Sequence, residues 1–129
     1  MPKTGDRFIT KLLQAHLEWG EHRHTSSRGI VIGEGYLQIP SEFAYSYEIT
    51  NNHSEIRSAE YLFSTSDKFI VNERLLASGN QYKCEYAKQF QGFGNLKLIG
   101  DWFHFIDANI GDEIEILFVS HSEILLTKL

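Results

Sequence analysis

The sequence predicts a mainly β domain, an antiparallel barrel or pseudobarrel built from six to eight short strands with two helices. Residues that favour turns recur about every ten positions along the chain. Between them lie short segments in which apolar and polar residues alternate with a period of two, while only two segments show helical spacing. Strands therefore dominate, and their brevity favours a barrel over a parallel sheet.

The bulk composition predicts one globular domain over residues 1–129. The chain is 42% hydrophobic, with nine Phe, six Tyr and two Trp, enough to build a core at this length. No apolar segment approaches the length of a membrane span, and residues 1–6 lack the apolar centre of a signal peptide. A single cysteine, Cys84, excludes a disulfide within the chain and predicts a reducing, cytoplasmic location.

The first segment, residues 7–19, fits both a helix and a strand, and its alternation favours a strand over the second half. A polar loop is expected at residues 20–29, because glycines bound a Thr-Ser-Ser centre. Residues 36–39 predict a strand that Pro40 ends. Ser41 is then expected to cap a short helix over residues 42–47.

The rest of the chain predicts five more strands and one helix. The helix is expected to be capped by Asn95 and to bury one stripe of apolar residues, namely Leu98, Trp102, Phe105 and Ile106. The strands are expected at residues 59–64, 68–73, 82–87, 113–119 and 123–127.

The net charge of −5 argues by itself against nucleic acid, because phosphate binding usually requires a basic surface. The charge is unevenly distributed, however. Residues 1–28 contain five Lys or Arg against three acids, while residues 101–123 contain six acids and no Lys or Arg. The sequence therefore predicts a basic side and an acidic side.

The strongest candidate for a binding site is the polar loop at residues 21–28. Arginine can pair with guanine through two hydrogen bonds, and Ser and Thr can reach bases or phosphates. An ordinary exposed loop is the competing interpretation. The residues concerned are His22, Arg23, His24, Thr25, Ser26, Ser27 and Arg28.

A second polar turn, at residues 78–82, is the other candidate. Asn and Gln side chains can pair with adenine, and small neighbours would permit close approach. The competing interpretation is a simple hairpin turn. This segment is Ser78, Gly79, Asn80, Gln81 and Tyr82.

Other chemistry is disfavoured. His22 and His24 could share one face of a strand and ligate a metal, but no cysteine and few acids lie nearby. The chain has no Gly-x-Ser-x-Gly motif, no phosphate-binding glycine loop and no nuclease-type pairing of acids with Asp/Glu-x-Lys. We therefore expect no catalytic residue, no metal and no cofactor.

Three short segments carry a resemblance to a known family: Leu-Gln-Ile-Pro-Ser-Glu-Phe-Ala at residues 37–44, Asp-Trp-Phe at 101–103, and Asn-Ile-Gly-Asp-Glu-Ile at 109–114. Over roughly residues 10–127 the chain resembles the DNA-binding pseudobarrel of plant B-three transcription factors. It is more similar still to the specificity domains of restriction endonucleases such as EcoRII (N-terminal domain) and BfiI (C-terminal domain). The resemblance implies a seven-stranded pseudobarrel with two arms that grip the major groove.

The resemblance also implies a function and a partner. The chain would be a binding domain, not an enzyme, and a fragment of a larger bacterial restriction protein with a catalytic or NTPase domain. It would recognise double-stranded DNA and neither a membrane nor a small-molecule substrate, and its acids at residues 101–123 would face away from the DNA.

The resemblance places the two arms on residues 21–28 and 74–82, and so implies roles for individual residues. Base contacts are expected from Arg23, Arg28, Asn80 and Gln81. Phosphate contacts are expected from Lys11, Arg74, Lys83 and Lys88.

An alternative from another class is a β-barrel that binds a small molecule or a protein. Its pocket would be lined by aromatic rings, and the same pocket could accept a flipped, modified base. The candidate rings are Trp19, Tyr45, Tyr47 and Phe93.

Overall fold

The computed structural model describes residues 2–13, 35–51, 59–81, 85–95 and 97–129. These residues form seven strands and two helices, which confirms the seven-stranded pseudobarrel. In chain order the elements are β1 (Arg7–Lys11), β2 (Leu37–Gln38), α1 (Ser41–Ser46), β3 (Glu60–Thr65), β4 (Glu73–Ser78), β5 (Gln89–Gly92), α2 (Leu98–Phe105), β6 (Glu113–Ser120) and β7 (Glu123–Lys128).

The strands form one sheet in the order β1-β6-β7-β3-β4-β5-β2. Every neighbouring pair is antiparallel except β3 with β7, which run parallel. The two outermost strands, β1 and β2, approach each other, so the sheet nearly closes into a barrel. Closure matters because an open sheet edge would expose unpaired backbone groups.

Helix α1 covers the remaining edge of β1. The Phe8 ring on β1 stacks on Phe43 of α1 at a centroid distance of 5.1 Å. The Tyr47 hydroxyl, directly after α1, donates a hydrogen bond of 3.1 Å to the carbonyl oxygen of Arg7. The edge is thus occupied by side chains of the same chain.

The core is filled by alternate residues of each strand. Leu37, Phe90 and Ala77 form one inward row across β2, β5 and β4, and all three are fully buried. Fully burying a side chain the size of Leu or Phe contributes about 1.5–3 kcal/mol. Tyr61 on β3 is buried among these rings, its centroid 5.8 Å from that of Phe90. Burial raises the pKa of Tyr61 to about 12.

Helix α2 is attached to the barrel by its buried tryptophan. The Trp102 ring is fully buried, and its indole N–H donates a 2.8 Å hydrogen bond to the carboxylate of Asp67. The same carboxylate accepts from the Thr65 hydroxyl and from the backbone N–H of Phe69. Partial desolvation acts to raise the pKa of Asp67, but these hydrogen bonds outweigh it and hold the pKa below its ordinary value.

The Asp67 turn is also where the expected strand at residues 68–73 proves wrong. Lys68 and Asn72 have φ angles of 66° and 51°, a left-handed conformation outside the range of regular strands. Phe69 and Val71, whose spacing suggested a strand, are 43% and 57% exposed. The carboxylate hydrogen bond to the Phe69 N–H stabilises a turn here, and the strand begins only at Glu73.

Two other strand boundaries differ from expectation. At residues 85–87 of the expected strand 82–87, only a one-residue bridge between Tyr86 and Thr50 forms, and residues 82–84 lie outside the described ranges. In the segment 7–19 the strand occupies the first half, Arg7–Lys11, and residues 14–19 are likewise outside. The strands expected at 59–64, 113–119 and 123–127 are confirmed to within a residue or so.

The helices also shift relative to prediction. Ser41 is the first residue of α1, with Pro40 at the cap position and no side-chain cap. The buried residues of α2 are Ile99, Trp102 and Phe103. Phe105 is 56% exposed and stacks on Phe69 outside the core. No helix in the described part of the chain is long and apolar enough to cross a membrane.

Replacing Asp67 by Ala is expected to lower the free energy of unfolding by about 1–3 kcal/mol, because the buried Trp102 N–H loses its acceptor. Asp67→Asn, which keeps an acceptor oxygen, should cost less. Urea denaturation of both variants at neutral pH measures the difference.

The same variants test the titration of Asp67. Its pKa is lower in the folded chain, so its stabilisation is complete above the ordinary value and is lost as the pH falls through the lowered value. The stability gap between the wild type and Asp67→Asn should therefore narrow in acid. A gap that stays constant or widens would contradict this assignment.

Candidate nucleic-acid interface

The first predicted arm, residues 21–28, falls on the connection between β1 and β2, residues 12–36. The second, residues 74–82, falls only in part on a connection, because residues 74–78 belong to β4 and the connection from β4 to β5 comprises residues 79–88. The described residues exclude 14–34, so His22, Arg23, His24, Thr25, Ser26, Ser27 and Arg28 lie outside them, as do Tyr82 and Lys83.

Strand directions determine where these connections attach. Strand β4 ends at Ser78, opposite Gln89 at the start of β5. Strand β2 is antiparallel to β5 and places Leu37 opposite Phe90 and Gln38 opposite Gln89. The β1–β2 connection therefore enters β2 at the end remote from residues 79–88. Because β2 has only two residues, the two attachment points differ by one residue in register, and the outer face of β2, β5 and β4 borders both.

The side chain of Asn51 holds the β4–β5 connection in place. This side chain is fully buried, and its Nδ2 donates hydrogen bonds to the Gly79 carbonyl oxygen at 3.0 Å and to Asn80 Oδ1 at 2.8 Å. Gly79 has a φ of 75°, where a side chain would be strained. The Asn80 side chain is therefore oriented by a residue that the sequence did not suggest.

Gln81 also stabilises the β4–β5 connection through hydrogen bonds. Its Nε2 donates to the carbonyl oxygens of Ile39 and Ala87, at 2.7 and 3.2 Å. Its backbone N–H bonds to the carbonyl oxygen of Tyr86. In this conformation the side-chain nitrogen ties the connection to the end of β2, and only the amide oxygen remains for the expected base contact.

The outer face of β2, β5 and β4, which we call the amide face, consists of Gln38, Leu76, Ser78, Gln89 and Gln91. Gln38, Gln89 and Ser78 form one row across the three strands, and Gln91 lies opposite Leu76 in the next. Ser78, 8% exposed, donates from Oγ to Gln91 Oε1 at 3.1 Å. Gln89 Nε2 donates to the same oxygen at 3.3 Å.

Sequence reasoning missed the three glutamines of the amide face. Gln38 and Gln89 are far apart in the chain and become neighbours only through strand pairing. The local signal was present, since Gln89, Phe90, Gln91 and Gly92 alternate in exposure as a half-buried strand does.

The described candidates for phosphate contact are all exposed. Arg74 extends from the start of β4 with its guanidinium carbon 5.9 Å from the centroid of Phe93, a cation–π distance that restricts the side chain. Lys88 precedes β5 at the opposite end, beside Gly79, and Lys11 ends β1. Positive charge therefore lies near both ends of the amide face.

Acidic residues of the C-terminal segment lie on other strands. Glu113 and Glu115 belong to β6 and Glu123 to β7, and β3 separates β7 from β4 in the sheet. Glu115 is also neutralised in part by Arg7, whose Nη2 lies 2.8 Å from its carboxylate. Two other exposed carboxylates lie nearer the amide face, since Glu73 begins β4 and Glu60 of β3 pairs with Leu76.

The aromatic rings of the alternative pocket lie in separate contacts. Tyr45 packs edge-on against Tyr86, Tyr47 stacks on Phe43, and Phe93 lies under Arg74. Trp19 is outside the described ranges. Within those ranges, no three His, Cys, Asp or Glu side chains are grouped so that they could hold a metal ion.

No family model matches the chain, and no curated protein matches its sequence.

Replacing Asn51 by Ala is expected to loosen the β4–β5 connection and to lower the free energy of unfolding by about 1–3 kcal/mol, since two hydrogen bonds from a fully buried side chain are lost. Amide hydrogen exchange at Gln81, whose N–H bonds to Tyr86, should accelerate. Asn109→Ala, which removes an exposed side-chain hydrogen bond at a distant turn, is the control. Unchanged exchange at Gln81 in Asn51→Ala would refute the role assigned to Asn51.

Proposed function

We propose that this chain is a sequence-specific double-stranded DNA-binding domain of the B-three-like pseudobarrel type. It would act as the target-recognition domain of a bacterial, cytoplasmic restriction protein whose catalytic or NTPase activity resides in another domain. The domain itself would bind DNA and would catalyse no reaction. It would need neither a metal nor a cofactor.

The observation that carries this proposal is the position of the two connections relative to the amide face. The β4–β5 connection ends beside Gln89, and the β1–β2 connection enters β2 at Leu37, opposite Phe90. Both connections therefore border the outer row of Gln38, Gln89 and Ser78. Two arms that border one polar strand face would suit a grip on the major groove.

Charge distribution supports the same orientation. Arg74 and Lys88 flank the amide face, while the carboxylates of β6 and β7 lie beyond β3. A net charge of −5 weakens long-range attraction to DNA but does not prevent local phosphate contacts. DNA affinity would depend on few Lys and Arg side chains, so the loss of any one of them should measurably reduce the salt dependence of binding.

Selection from a pool of random duplexes tests the proposal directly. The wild-type chain should enrich a defined sequence, and the logarithm of its binding constant should fall linearly with the logarithm of salt concentration. Enrichment of no sequence, together with binding that salt does not alter, would overturn the proposal.

Arg74→Ala is expected to weaken binding to all sequences by a similar factor and to reduce the salt slope by about 1, because one phosphate contact is lost. Lys128→Ala is the matched control, since Lys128 lies on β7 and pairs with Asp112 at 3.8 Å. Its slope should equal that of the wild type. Fluorescence anisotropy across a salt series measures both, and an unchanged slope in Arg74→Ala would remove this residue from the interface.

A further inference from the structure

The amide face contains a hydrogen-bond network that fixes the orientation of one glutamine. Gln91 Oε1 accepts from Ser78 Oγ at 3.1 Å and from Gln89 Nε2 at 3.3 Å. A carbonyl oxygen has two lone pairs, so both are used. Gln91 Nε2 donates to no residue in the described part of the chain, and it carries two N–H groups.

We propose that Gln91 is a specificity-determining residue that donates from Nε2 to a guanine edge in the major groove. This inference rests on the proposed DNA-binding function and deepens it. Gln91 belongs to neither arm but lies on β5, where it pairs with Leu76 of β4. It is partly exposed on the outer face.

The fixed orientation decides which base Gln91 selects. A glutamine that pairs with adenine must accept from N6 and donate to N7, which requires a free amide oxygen. The Gln91 oxygen is already occupied by Ser78 and Gln89. Guanine presents two acceptors, O6 and N7, and needs only donors. The network therefore converts an amide that could suit adenine into a donor that suits guanine.

Ser78 then acts as a positioning residue. Its hydroxyl, 8% exposed, is buried against the sheet and holds the Gln91 oxygen inward. Without that hydroxyl, one lone pair of Gln91 Oε1 becomes available, and the amide gains the acceptor that adenine pairing requires. Loss of Ser78 should therefore broaden recognition from guanine to adenine, whereas loss of Gln91 should remove discrimination altogether.

The test is selection from random duplexes by the wild type, Gln91→Ala, Ser78→Ala and the control Thr127→Ala, which lies on the outer side of β7. The wild type should require guanine at one position. Gln91→Ala should lose that preference, a change of roughly 5- to 100-fold in relative affinity at that base pair alone. Ser78→Ala should accept adenine there, and Thr127→Ala should keep the wild-type profile.

A further variant guards against a trivial loss of folding. Gln91→Glu retains acceptors for Ser78 and Gln89 but has no donor, so the preference should move from guanine to cytosine, whose N4 donates in the major groove. Thermal melting monitored by circular dichroism verifies that each variant is folded.

The failures are distinguishable. A wild-type chain that selects no sequence overturns the DNA-binding proposal itself. A wild type that selects a site while Gln91→Ala keeps the same profile overturns only the role of Gln91. Uniform weakening across all sequences would likewise overturn it, because that result indicates a phosphate contact.

Discussion

The barrel depends on the parallel pairing of β3 with β7. Strands β1, β6 and β7 form one antiparallel unit, and β3, β4, β5 and β2 form another. Among the described residues, only the β3–β7 ladder joins them within the sheet, from Leu62 opposite Glu123 to Thr65 opposite Leu126. Backbone bonds from Leu62 N–H to Ser122 and from Ser66 N–H to Leu126 complete it. Without this ladder β1 would not approach β2, and the inward rows of the two units would not meet in one core.

The same pairing separates the chemistry of the two units. The unit that contains β6 and β7 carries Glu113, Glu115 and Glu123, while the other carries the amide face. The two units do not differ in the sign of their charge, however, since Arg7 and Lys11 lie on β1 beside β6, while Glu60 and Glu73 begin β3 and β4. The uneven charge along the sequence is partly cancelled in the fold, where Arg7 pairs with Glu115.

The sequence predicted the elements in which burial alone determines the pattern. Ile114, Ile116 and Phe118 face the core and alternate cleanly with outward residues, so β6 was identified almost to its ends. Prediction failed where hydrogen bonds overrode periodicity. The apolar spacing of Phe69 and Val71 suggested a strand, but the Asp67 carboxylate stabilises a turn there.

In the candidate site, too, local sequence patterns predicted some features, and contacts between distant residues determined the others. The turn that follows β4 at residues 79–81 can be recognised locally, because Gly and Asn favour turns. The network of Ser78, Gln89 and Gln91 depends on register between β4 and β5, which no local pattern specifies. Asn51 was missed for the same reason, since its partners Gly79 and Asn80 are distant in sequence.

The β3–β7 ladder also has a consequence for how the chain folds. Its two strands are separated in sequence by β4, β5, α2 and β6, so the contact closes a long loop and contributes a high contact order. During synthesis the antiparallel unit of β3, β4, β5 and β2 can form early, yet its β3 edge stays unpaired until β7 emerges. Until then this unit has an open strand edge, the kind of surface on which chains associate wrongly.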